Sequence, residues 1–170
     1  MTQNVHDISS AILNLKSPMS LERLQNILFY ACGEYAALTM DALFLENILM
    51  SQSGPRVQEI DTLYQPYLKG DLIPTAFSGD FTVLNDTQAV TIEYIHERYG
   101  SYTDEQFSKL LGEIPIWKKT YLKGSFSSEV SLAMLIAVFR QHISDVKISP
   151  ARLDYFFSDS RSVEQLLDNS

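Results

Sequence analysis

One cysteine, three histidines, one tryptophan and no Gly-x-Gly anywhere are what this 170-residue chain offers in place of the usual catalytic and cofactor signatures. Cys32 alone cannot close an internal disulfide, which fits a reducing, cytoplasmic setting. His6, His96 and His142 have no His or Cys partner at metal-ligand spacing. His96, flanked by Glu93 and Glu97, reads as part of a solvated helix face, so no metal is expected. Without a Gly-x-Ser-x-Gly elbow or a glycine-rich phosphate loop, neither an α/β-hydrolase nor a nucleotide-binding fold is indicated, and no cofactor is expected.

Basic charge is scarce. Thirteen Lys and Arg against 21 Asp and Glu give a formal charge of −8, opposite to a dedicated nucleic-acid binder. The longest apolar run, Leu132 to Phe139, falls well short of the roughly 20 residues of a membrane span. The opening Met1-Thr2-Gln3-Asn4 has neither the basic nor the apolar part of a signal peptide. Expected, then, is one acidic cytoplasmic domain over 1–170, with no nucleic acid and no membrane among its partners.

Hydrophobic spacing indicates a mainly α fold of about seven to eight helices. Val5, Ile8, Ile12 and Leu15 mark the first, stopped by Ser17-Pro18. Ser20 caps the second, where Leu21, Leu24, Ile27, Leu28, Ala31, Tyr35 and Leu38 recur at steps of three and four. That helix is expected at the centre, with Cys32 as a small core residue rather than a nucleophile. One short β element is expected near 43–50, before a turn at Gly54-Pro55. A helix follows over Val57 to Tyr67, ended or tightened by Pro66.

Asn85 and Gln88 form a capping box for a helix to Tyr99, closed by a left-handed Gly100. Thr103 and Gln106 repeat the device for a helix to Leu111, closed by Gly112. Pro115 opens a helix through Trp117 to Gly124. Ser127 or Ser128 caps a long apolar helix with Glu129 in its first turn. Short helices over 151–157 and 162–167 complete the set.

Between Leu68 and Leu84 periodicity vanishes while apolar residues persist (Leu68, Leu72, Ile73, Phe77, Phe81, Val83). An ordered loop packed on the core is expected, of the kind that carries function. The aromatics at and near it (Tyr64, Tyr67, Phe77, Phe81), with Tyr102 and Trp117, are the candidate partner-binding residues. Aromatic anchors dominate protein interfaces, although each of these side chains can equally pin the loop to its own core. Trp117 with Lys118 and Lys119 is the one basic aromatic cluster, and reads as a solvated helix face around a buried ring.

Leu24-Gln25, Leu28, Tyr30 and Tyr35, then Leu43-Phe44-Leu45-Glu46, Gly54-Pro55-Arg56-Val57, Tyr99-Gly100 and Pro115 with Trp117, together resemble the Panacea domain over about 20–124, with a helical continuation to about 157. The resemblance implies a bacterial or prophage antitoxin that neutralises a co-encoded toxin by direct contact, an adaptor that delivers the toxin to a cytoplasmic protease, or a phage-associated protein with another protein-binding role. Each of these is binding rather than catalysis, so no enzyme is expected. An acidic binder gains steered association with a basic toxin. Self-association into a homo-oligomer stays open.

Overall fold

The computed structural model describes residues 3–113 and 127–144. The chain is mainly helical, with a small three-stranded antiparallel sheet. In chain order it runs α1 (Val5–Leu15), α2 (Leu21–Thr39), β1 (Ile48–Ser51), β2 (Gly54–Val57) and α3 (Gln58–Leu63), then α4 (Asp86–Tyr99), α5 (Asp104–Glu113), β3 (Ser127–Val130) and α6 (Leu132–Ser144). Six α-helices therefore stand among the described residues, with single 3-10 turns at Gln65–Tyr67 and Phe81–Val83. Trp117 and the helices expected over 115–124, 151–157 and 162–167 lie outside the described residues.

Helix α2 is the axis of the fold. Sixteen of its 19 residues are buried, so apolar side chains cover nearly its whole circumference rather than one stripe. The Ser20 hydroxyl accepts the Arg23 backbone N–H at 3.1 Å, which satisfies one of the orphan donors of its first turn. Against α2 pack α1, α4, α5, α6 and β2. Phe139 of α6 lies edge-on to Phe29 (5.6 Å) and Tyr30 (5.7 Å), and Tyr30 meets Tyr99 at 4.7 Å. Each such aromatic pair contributes about 1 kcal/mol beyond the area it buries. Gly33 makes this approach possible, because a Cβ there would overlap the Phe139 ring.

Helix α1 is capped twice. Asn4 Oδ1 accepts the Asp7 N–H (3.0 Å) and Glu46 Oε2 accepts the Val5 N–H (3.0 Å). The C-terminal end of α4 is held by cations. Lys16 Nζ donates to the Gly100 carbonyl, and the Arg23 guanidinium donates to the carbonyls of Tyr99, Gly100 and Tyr102. Positive charge at this end complements the helix dipole. It also replaces the expected left-handed glycine stop, since Gly100 stays right-handed at φ −60°.

The strands depart further from expectation. Strand β1 begins only at Ile48; the preceding Leu43 and Phe44 instead run beside Gln3, whose N–H donates to the Leu43 carbonyl (3.3 Å). Strands β1 and β2 form a hairpin with Ile48 opposite Val57 and Ser51 opposite Gly54, and Gly54 supplies the positive φ of 109°. Strand β3 pairs on the other side of β1, Ile48 opposite Val130. Ser127, Ser128 and Glu129 are thus strand rather than helix cap and first turn. Ser131 takes the capping role, its hydroxyl accepting the Met134 N–H at 3.2 Å. The expected helix over 57–67 breaks at Tyr64, because Gln65 precedes Pro66 and the α region is disfavoured there. Helix α5 has the expected cap, with Thr103 and Gln106 exchanging bonds of 2.8 and 3.1 Å, but continues through Gly112 to Glu113.

Two outer-edge groups of β2 are already occupied. Val57 N–H and C=O point away from β1 and meet the side-chain amide of Gln25. Pro55, two residues back and so facing the same way, has no N–H to offer.

Candidate interaction surface

Residues 68–84 form a strap across one side of the molecule, anchored at five points. Ile73, fully buried, exchanges backbone bonds with Met19, donating at 2.8 Å and accepting at 3.2 Å. The Phe77 N–H donates to the Tyr64 hydroxyl at 3.2 Å. Gly79, at φ 96°, lies so close to the His6 backbone that a Cβ would overlap the His6 carbonyl. The Asp80 N–H donates to Asp7 Oδ1 (2.8 Å), and Gln3 Nε2 donates to the Val83 carbonyl (3.3 Å). Asp80 in turn accepts from the backbone and hydroxyl of Thr82 (2.9 and 2.6 Å), which holds its carboxyl below the usual range and fixes the Phe81–Val83 turn.

An anchored backbone leaves its side chains little freedom, and here many of them face outward. Leu68, Leu72, Phe77, Phe81 and Val83 are each 43–54% exposed. Large apolar side chains exposed together in one short, anchored segment make it the candidate interaction surface of the described residues. Beside the strap lies an open depression lined by His6, Gln58, Glu59, Thr62 and Leu63.

The candidate aromatics divide into three. Phe77 and Phe81 present about half their surface, and Tyr67, half-buried, lies with its ring tilted 5.6 Å from that of Phe77. Tyr64 is fully buried, so it cannot touch a partner; it acts from below, 5.2 Å from the Phe77 ring and bonded to its backbone. Tyr102 belongs to a different place, the α4–α5 junction, where it packs on Tyr99 (5.2 Å) and Phe107 (5.6 Å). The fold thus brings Tyr64, Tyr67, Phe77 and Phe81 to the strap and leaves Tyr102 apart.

No family model, curated protein or solved structure matches this chain.

Among the interior's ionisable groups, burial displaces Cys32 and Glu34. Cys32 is buried and its thiol is pushed up to about 12 by burial, so it stays protonated and packs as a hydrophobe. Glu34 is fully buried, and neither carboxyl oxygen has a hydrogen-bond partner. Burial raises it to about 7, against the opposing pull of Arg98. Its position among Tyr30, Ala31, Cys32 and Tyr35 was visible in the sequence; its lack of a partner was not. Among the described residues, no three His, Cys, Asp or Glu side chains are grouped to hold a metal ion.

Proposed function

We propose that this protein is an antitoxin-like binding protein, which holds a co-encoded bacterial or prophage toxin in a stoichiometric complex. One observation carries the reading: the strap is fixed to α1, to Tyr64 just after α3 and to the α1–α2 connection by named bonds while it exposes five large apolar side chains. A surface already rigid before contact loses little entropy on binding. The Panacea-like residues at 24–35 and 43–57 support the choice of a toxin as partner, and the charge of −8 supports a basic one.

The test is co-expression with the product of the neighbouring reading frame. Growth should be restored, the two chains should co-purify in fixed ratio, and toxin half-life should stay unchanged. A shortened half-life would replace direct inhibition by delivery to a protease. Replacing Phe77 and Phe81 together by Ser should abolish both rescue and co-purification. Full rescue by that variant would remove the strap from the mechanism.

A further inference from the structure

The strap and the depression beside it form one continuous site. Gly79 lies on the backbone of His6, which lines the depression, and Leu63, which lines it too, directly precedes the Tyr64 that supports Phe77. Charge around this site is one-sided. From Gln58 to Asp86 there are five acidic residues (Glu59, Asp61, Asp71, Asp80, Asp86) and one basic, Lys69. Asp61 is engaged with Arg56 and Gln25, but Glu59, Asp71, Asp80 and Asp86 are exposed.

We infer that this site takes a basic amphipathic segment of a partner protein, its apolar side chains seated on Phe77 and Phe81 and a lysine or arginine above Glu59. The inference rests on the protein-binding reading and adds the chemistry of the partner. Electrostatics select among occupants. A second copy would bring the same acidic rim against itself, and nucleic-acid phosphates or an anionic lipid surface would be repelled. A cationic peptide satisfies both components, apolar area and opposite charge. Glu59 provides an exposed anion in the lining of the depression, which His6 also lines.

The probe is a fluorescein-labelled synthetic peptide of alternating Leu-Leu and Lys-Lys pairs, titrated with the full chain and followed by fluorescence anisotropy. Two control peptides replace every Lys by Glu or every Leu by Ser. Binding of the first peptide and at least tenfold weaker binding of both controls is expected. Phe77→Ser should weaken it about tenfold, as for a typical aromatic anchor. The double variant Glu59→Lys, Asp71→Lys should do the same and remove its salt dependence, these side chains being exposed and outside the core. Equal binding of the Glu peptide, or unchanged affinity in both variants, overturns the inference. In co-expression, full rescue by the charge-reversed variant also overturns it, while leaving toxin neutralisation standing. Failure of the wild-type chain to rescue, with peptide binding intact, overturns neutralisation and leaves the site standing.

Discussion

The side-chain amide of Gln25 occupies both backbone polar groups of Val57: the Val57 N–H donates to Oε1 at 2.9 Å and Nε2 donates to the Val57 carbonyl at 3.0 Å. The same Nε2 donates to Asp61 Oδ1 (3.0 Å), and Asp61 pairs with Arg56 at 2.7 Å. One residue of the central helix therefore ties both β2 and α3 to α2.

Gln25→Leu should be strongly destabilising, because two buried backbone groups lose their partners together. A cost of about 3 kcal/mol is expected, read as a lowered urea midpoint with an unchanged slope. Asp61→Asn, on a partly exposed pair, should cost under about 1 kcal/mol. Equal effects for the two variants would mean that the amide is not the principal tie.

Glu34 gives the protein an unusual response to pH. Unfolded, its carboxyl loses its proton near 4.5; folded, it keeps it until about 7. Between these values the native state binds more protons, so stability falls as pH rises and levels off above the folded value. The contribution is about 3 kcal/mol. Glu34→Gln cannot ionise, so its stability relative to wild type should improve by that order between pH 4.5 and pH 8, measured by denaturation at each pH. A constant difference across the range would show that Glu34 is ionised in the folded protein or reaches water.

Gly33 and Phe139 should behave as a coupled pair. Gly33→Ala forces a methyl group into the ring and should cost about 2 kcal/mol. Phe139→Leu alone opens space and loses aromatic contacts with Phe29 and Tyr30. In the double variant the losses should be less than additive, by at least about 0.5 kcal/mol, because the smaller side chain yields room to the new methyl. Strict additivity would mean that the helices separate rather than interlock.

Asp7→Ala removes the acceptor for the Asp80 N–H and should release the strap without unfolding the core. Limited proteolysis should then cut within 77–84 several-fold faster, with the global unfolding free energy lowered by no more than about 1 kcal/mol. Unchanged cleavage would show that the Gly79 and Phe77 contacts hold the strap by themselves.

Local signals in the sequence placed α1, the start of α2, and the caps of α4 and α5, because each depends on residues within one turn of one another. Asn85 with Gln88 and Thr103 with Gln106 act over three residues. The misplaced features depend on distant partners. Ser127 to Val130 has the composition of a helix cap and becomes a strand only because β1, some 80 residues earlier, offers an unpaired edge. Gly100 stays right-handed because Lys16 and Arg23 arrive from another part of the chain. At the candidate surface, composition revealed that the 68–84 segment is apolar and irregular, but not which rings face outward. Tyr64 and Phe77 are similar in type and close in sequence, yet one is the support and the other is the exposed face.

The arrangement at Pro55 and Val57 also governs how this molecule can associate. A fourth strand laid along the outer side of β2 would find no donor at Pro55 and both groups of Val57 engaged. Backbone-to-backbone growth from that margin, the usual route to fibrous aggregation, is therefore blocked. Contact with this part of β2 from outside must therefore be made chiefly by side chains, which discriminate between partners, and not by the main chain, which does not.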